Sequence, residues 1–312
     1  MSERILQGDA LEALRTLEPE SAHACVTSPP YYNLRNYGVD GQIGMEKTPE
    51  DFVTALVAVF REVRRVLRSD GTLWVNIGDS YATRSGAQPP TNTRNRCGHT
   101  EKRTPQGYKY KDLIGIPWML AFALRADGWY LRQDIIWEKP NAMPESVKDR
   151  CTKSHEYIFL LSKTGKYYFD NDAIREPFTD KRVRVGERRS YTAGCASSFS
   201  MERGHIEQKG GFVGLPLNPR GRNKRDVWSV NTSAFRGAHF AVFPEKLIEP
   251  CILAGCPTGG TVIDPFTGSG TTGAVAKRLG RNFVGIEINP EYCEIAQKRI
   301  AEAPSFYEQI QI

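Results

Sequence analysis

Val262-Ile263-Asp264-Pro265-Phe266-Thr267-Gly268-Ser269-Gly270-Thr271-Thr272-Gly273 reads as a strand, a glycine turn and the start of a helix. That is the expected form of a nucleotide-type cofactor site on an α/β sheet. Gly268, Gly270 and Gly273 match Gly-x-Gly-x-x-Gly, and Glu287 closes the next strand-like run, where a carboxylate can accept from both ribose hydroxyls. A nicotinamide dinucleotide binder fits this pattern nearly as well. Asp264-Pro265-Phe266 argues otherwise: proline commits the chain to its turn, and the carboxylate can accept from an ammonium or ribose group. A cofactor with a cationic amino-acid part suits it.

Thr27-Ser28-Pro29-Pro30-Tyr31 closes an apolar run near the start of the chain and sets an acceptor oxygen, two stiff prolines and an aromatic face together. Such a cluster suits a flat ring bearing an amine. An exocyclic amine on cytosine or adenine is a poor nucleophile because its lone pair is delocalised into the ring. The Ser28 hydroxyl and the Pro29 carbonyl can hold its hydrogens and favour a tetrahedral nitrogen, with Tyr31 offering a face to stack on the ring.

Strand and helix patterns alternate along the chain. Ile5-Leu6 leads to Gly8-Asp9, Asp9 caps a helix from Ala10 to Leu17, and Ala22 to Val26 is a buried strand. Apolar residues from Phe52 to Leu67 recur at helical spacing until Gly71, and Thr72 to Ile77 follows as a strand. Ile116 to Leu124 and Phe243 to Leu253 read as helices, and Tyr130 to Trp137 and Glu156 to Leu161 as strands. The C-terminal part holds strands at Thr261 to Asp264 and Phe283 to Glu287, with helices from Thr271 and from Pro290 to Ile300. Two strands cannot bury a core alone, so one mostly parallel sheet must draw strands from both ends of the chain. Ser28, Asp79, Asp264 and Glu287 then all fall at strand ends, where ligands collect.

The net charge of +6 conceals segregation. Residues 84–111 carry +6 and residues 181–225 carry +8, which leaves −8 on the remainder. Both stretches are rich in Gly, Pro, Ser, Thr and Asn and contain aromatics, a footprint expected for phosphate backbones. Arg94, Arg96, Lys102 and Arg103 in the first, and Arg188, Arg189, Arg222, Lys224 and Arg225 in the second, are the candidate DNA contacts. The seven cysteines are scattered without a Cys-x-x-Cys pair, so they read as reduced and structural, with no metal. No apolar run reaches the ~18 residues of a membrane span and Met1-Ser2-Glu3-Arg4 opens no signal peptide, so a cytoplasmic protein is expected.

The segment Asp264 to Thr272 resembles the S-adenosylmethionine motif of DNA amino-methyltransferases, and Thr27 to Tyr31 resembles their catalytic motif. The order, catalytic motif first, is that of the β group. The resemblance extends to Ile135-Ile136-Trp137-Glu138-Lys139-Pro140-Asn141 and spans most of the chain outside residues 84–111 and 175–225. It implies a Rossmann-like, mostly parallel α/β sheet of the S-adenosylmethionine methyltransferase type, with circularly permuted motif order and an inserted basic recognition lobe. Residues 1–169 would form the catalytic half with its basic loop at 84–111, residues 170–240 the target-recognition lobe and residues 241–312 the cofactor half. Ser28, Pro29, Pro30 and Tyr31 would be catalytic. Asp264, Pro265, Phe266, Gly268, Gly270, Thr271, Thr272 and Glu287 would hold S-adenosylmethionine. Asp9 would lie by its adenine, and Phe243 and Lys246, in the segment from His239 to Leu247, beside its methionine end.

The partner so implied is double-stranded DNA with base flipping, for a bacterial or phage enzyme of the restriction–modification kind. A homodimer is compatible, since some members of the β group dimerise. Ser28 at the head of its motif leans toward cytosine N4, with adenine N6 as the alternative. An RNA or protein amino-methyltransferase usually places the cofactor motif first and lacks a long basic insertion. A nicotinamide oxidoreductase lacks a placed histidine, and a DNA-binding module without catalysis would leave both motifs idle. A carbon-5 cytosine enzyme would need a presented thiolate, but Pro250-Cys251 falls inside a helix and reads as core.

Overall fold

In the computed structural model, residues 2–34, 38–39, 41–83, 104–178, 190–191, 212–213, 218–232 and 243–306 are described. They form β1 (Glu3–Gln7), α1 (Ala10–Arg15), β2 (Ala22–Thr27), α2 (Pro49–Val66), β3 (Leu67–Ile77), α3 (Ile116–Ala126), β4 (Tyr130–Glu138) and β5 (His155–Ser162). Two-residue strands β6 (Ser190–Tyr191) and β7 (Phe212–Val213) follow, then β8 (Val227–Ser229), α4 (Glu245–Gly255), β9 (Thr261–Asp264), α5 (Thr271–Arg278), β10 (Asn282–Glu287) and α6 (Pro290–Glu302).

The main sheet has the order β1-β10-β9-β2-β3-β5-β4-β8 and therefore joins both ends of the chain. β9 and β2 are neighbours in its interior and are buried along almost their whole length, as strands covered on both faces must be. Every pairing is parallel except those of β5, which runs antiparallel to β3 and β4. The reason is the connection. β4 reaches β5 through a loop with no helix, so the chain folds straight back, whereas β1, β2, β3 and β9 are each followed by a helix.

Leu73, Val75 and Ile77 of β3 point to one side, with Phe52, Leu56 and Phe60 of α2 and Leu120 and Leu124 of α3 in the same core. Each such burial is worth roughly 1.5–3 kcal/mol. Thr72 and Trp74 take the opposite side, against α4. Thr48 caps α2 through the Asp51 N–H, with Pro49 in its first turn. Gly71 does not end that helix. Leu67 is already extended and pairs with Ala22, so β3 begins there and Gly71 lies inside it. The long strand rides over a register shift between Ala22 and Ala24, which periodicity cannot reveal.

Contacts divide the chain into a unit of Met1–Asp170 with Arg225–Ile312 and a second unit, Asn171–Lys224. Within the second, Glu176 and Arg222 exchange backbone hydrogen bonds and Arg175 donates to the Gly221 carbonyl and the Asn223 side chain. Residues 170–240 were expected to form one lobe, but Val227–Ser229 belongs to the main sheet, paired with β4. Three residues are too few for a pattern to announce.

Gly255 ends α4 where a Cβ would stand 2.6 Å from both Thr72 Oγ1 and Trp74 Nε1. Gly255→Ala is expected to cost about 1–3 kcal/mol by overpacking. In urea unfolding the midpoint falls with an unchanged m-value; an unchanged midpoint would show that α4 does not press on this face.

Candidate functional site

A cavity of ≈ 280 Å³ opens along one edge of the main sheet. Its lining follows the strand order: Gly8 and Asp9 after β1, Glu287 at the end of β10, Pro265 to Ser269 after β9, and Ser28 to Tyr31 after β2. Next come Asn76 of β3, Glu156 of β5, and Trp137 and Lys139 at the end of β4. Because β5 is reversed, its first residues reach the rim where the parallel strands end. Adjacent strands lie about 4.8 Å apart, so Glu287 and Ser28 are separated by about 10 Å of sheet, and Ser28 and Glu156 by the same.

Asp264 is fully buried beneath this rim. Its Oδ1 accepts from the Thr27 hydroxyl at 2.6 Å and the Phe266 N–H at 3.0 Å, and its Oδ2 accepts from the Thr272 hydroxyl at 2.7 Å. Asp264 itself does not line the cavity, and three of its acceptor positions serve the protein. Burial pushes its carboxyl up to about 6, against the pull of those same hydrogen bonds.

The glycine turn above it is held from two sides. The Gly268 N–H donates to Glu287 Oε2 at 2.8 Å, and the Asn289 N–H to Oε1 at 2.9 Å. Burial raises the Glu287 carboxyl from its ordinary value, and these two N–H donors oppose the rise. From behind, Arg299 of α6 donates to Ser269 Oγ at 3.0 Å, Thr271 Oγ1 at 2.8 Å and Glu245 Oε1 at 3.0 Å. Gly270, at φ 82°, sits where a Cβ would lie 2.9 Å from the Ala296 Cα, so backbone angle and close approach both require glycine. Asp9 caps α1 through the Glu12 N–H and also lines the cavity.

At the other end the Tyr31 hydroxyl donates to Glu156 Oε2 at 2.5 Å. Asn76 Nδ2 donates to the same oxygen at 3.2 Å and to the Tyr157 carbonyl at 3.1 Å, while Lys139 pairs with Glu156 Oε1. Gly78 gives the Tyr31 ring its place, since a Cβ there would stand 2.7 Å from Cε2.

Ser28, Pro29, Pro30, Tyr31, Asp9, Pro265, Phe266, Gly268, Thr271, Glu287 and Phe243 thus share one cavity. Gly270, Thr272 and Lys246 do not line it: the first two build the turn beneath, and Lys246 is exposed on α4. Asp79 is drawn off as well, its Oδ1 accepting from the Ser80, Gly115 and Ile116 N–H groups at the start of α3. Arg222 and Lys224 pair with Glu176. Arg225 accepts the Trp228 indole N–H on its carbonyl. Arg94, Arg96, Lys102, Arg103, Arg188, Arg189 and the segment 239–242 lie outside the described residues. Cys251 is buried in α4. Asn76 and Glu156 were missed; the one available signal was an acid opening the apolar run of β5.

A family model described as DNA methylase, of the N6/N4 type, matches residues 22–298. The chain is 49% identical over 298 residues to Type II methyltransferase M.Cfr9I of Citrobacter freundii, covering 95% of this chain and 87% of that one. It is 48% identical to Type II methyltransferase M.SmaI of Serratia marcescens, covering 95% and 90%. Among solved structures, the PvuII DNA methyltransferase (cytosine-N4-specific) matches with a TM-score of 0.64 at 20% identity, covering 100% of this chain and 90% of that one. A putative DNA modification methylase of Thermus thermophilus, complexed with S-adenosyl-L-methionine, matches with a TM-score of 0.58 at 24% identity, covering 96% and 95%. These two likenesses establish the fold, a Rossmann-like methyltransferase sheet.

Between its ordinary value and about 6, Asp264 holds a proton in the folded protein that the unfolded chain has released. Its stabilising contribution is therefore present in full below about pH 4 and is lost as the pH rises to 6. The stability of wild type minus that of Asp264→Asn should fall by up to about 3 kcal/mol from pH 4 to pH 7. Denaturant unfolding at both pH values measures it, and a flat difference would contradict the burial of this carboxyl.

Proposed function

The chain belongs to the N6/N4 DNA methylase family, and we propose that it moves a methyl group from S-adenosylmethionine to the exocyclic amine of a base flipped out of duplex DNA, cytosine N4 before adenine N6. It is a DNA amino-methyltransferase, and its relatives are Type II methyltransferases, which sets it in restriction–modification. The observation that carries the finer reading is the shared cavity: Ser28 to Tyr31 and the turn from Pro265 to Ser269 line it together, although more than 230 residues separate them in sequence.

The lining suits that cofactor. Two carboxylates, Asp9 and Glu287, offer acceptors beside the apolar Phe266, Ile286 and Ile288, and the lining carries no side chain at Gly8 after β1 or at Gly268 in the turn. Glu287 would accept from the ribose hydroxyls, Asp9 would lie by the adenine, and Phe243 would border the methionine end. When bound, the cofactor supplies an electrophilic sulfonium methyl. The chain's own residues do the rest by positioning. Ser28 Oγ and the Pro29 carbonyl accept the amine hydrogens and turn the nitrogen lone pair out of the ring, and Pro30 stiffens the loop. The Tyr31 ring covers the base, offsetting part of the few kcal/mol of unstacking.

The two halves of the catalytic domain would be residues 1–169 and 241–312, and of residues 170–240 those outside the sheet strand Val227–Ser229 would read the target sequence. Arg94, Arg96, Lys102, Arg103, Arg188, Arg189, Arg222, Lys224 and Arg225 would meet phosphates, with steep salt dependence. The described residues contain no helix long and apolar enough to cross a membrane. Bacterial relatives and a DNA substrate support work in the cytoplasm. Ser28 favours cytosine; adenine N6 methylation would use the same pocket.

Mixed-sequence duplex DNA incubated with the protein and methyl-labelled S-adenosylmethionine should yield N4-methylcytosine by nucleoside mass spectrometry. Ser28→Ala should lower kcat by about 100-fold while duplex binding is retained. Label in N6-methyladenine would reassign the base, and label in RNA or protein alone would overturn the reading.

A further inference from the structure

The cavity beyond Ser28 carries a polar cluster that amine positioning leaves without a task. Of the charged side chains lining the cavity among the described residues, Asp9 and Glu287 lie on the cofactor half and Glu156 and Lys139 on the far side. Lys139 is the one cation in that lining among the described residues. Its backbone N–H donates to the Ser154 carbonyl at 2.8 Å. Its ammonium pairs with Glu156 and stands 4.3 Å from the Trp137 ring centroid. Trp137 is fixed in turn by its indole N–H, which donates to the Val230 carbonyl at 2.8 Å. Glu156 also receives the Tyr31 hydroxyl, so one carboxylate sets both the ring that would stack on a base and the cation beside it.

A base extruded from a duplex leaves its Watson–Crick partners behind. With its amine held at Ser28 and Pro29, cytosine still presents two acceptors along that edge, N3 and O2. Adenine presents N1 and then a C–H. Lysine is a pure donor with three N–H groups, of which Glu156 takes one. We propose that Lys139 reads the ring-acceptor edge of the extruded base and so favours cytosine, with Glu156 as the positioning residue that holds both Lys139 and Tyr31. This rests on the reading of the chain as a base methyltransferase. Against adenine the ammonium faces a C–H and one hydrogen bond is lost, a discrimination of about 10- to 100-fold.

The test compares the full chain with Lys139→Met, Lys139→Arg and Lys139→Gln on mixed-sequence duplex DNA. Cofactor affinity, DNA affinity, kcat, KM for DNA and labelled nucleosides are all read. Lys139→Met should lower kcat/KM by about 10- to 100-fold, mainly through KM, with cofactor affinity unchanged. Its remaining product should shift toward N6-methyladenine. Lys139→Arg should recover part of the loss. Should the Met variant fail to fold, Lys139→Gln, which keeps a donor without the charge, is expected to show the smaller loss in the same direction. An unchanged kcat/KM in both variants, or an equal loss of cofactor affinity, overturns the proposal while methylation of cytosine stands. Wild-type label on adenine overturns the proposal alone, and no label on any base overturns it together with the methyltransferase reading.

Discussion

Asp264 lies between two hydroxyls drawn from opposite ends of the chain, Thr27 and Thr272, and the rest of the site depends on that bridge. Thr27 is the last residue of β2 and Ser28 follows it; Asp264 is the last residue of β9 and Pro265 follows it. Adjacent strands alone would bring these loops within one spacing of each other. The carboxylate adds the fixed register, since a slip of β2 against β9 would break the 2.6 Å hydrogen bond from Thr27. A buried carboxylate is costly unless satisfied, and here three donors satisfy it. Through those bonds this acid ties together the two loops that line the cavity.

A second constraint is the reversal of β5. Had the chain placed a helix between β4 and β5, the strand would run parallel and present Ser162 rather than Glu156 at the rim. The direct return puts Glu156 opposite Trp137 and one residue from the Tyr157–Ile77 pair. Its carboxylate then meets Asn76, Tyr31 and Lys139 from three other strand ends or loops. The cavity is thus a row, with cofactor-type carboxylates on one side of Ser28 and an ion pair on the other, spaced by the sheet itself.

Much of this was legible in sequence because the decisive signals are local. Buried strands ending in Gly, Pro or acid, and the helix opened by Asp9, announce themselves within a few residues. So does the glycine turn, where Gly270 answers both a left-handed backbone and the approach of Ala296. What escaped was set by partners far away in sequence. The bond that Asp264 accepts from Thr27, 237 residues distant, has no local signal. Glu156 reads as the polar start of a strand until topology carries it to Tyr31. The early start of β3 follows from a register shift, and β8 is too short to show a period.

The most direct test of the account is a crystal structure with S-adenosylmethionine bound. The ribose hydroxyls should lie on Glu287, the adenine beside Asp9 and Phe266 and the methyl group toward Ser28, with Asp264 still bridging Thr27 and Thr272 without touching the ligand. A cofactor bound directly by Asp264, or lying on the Glu156 side of Ser28, would contradict it.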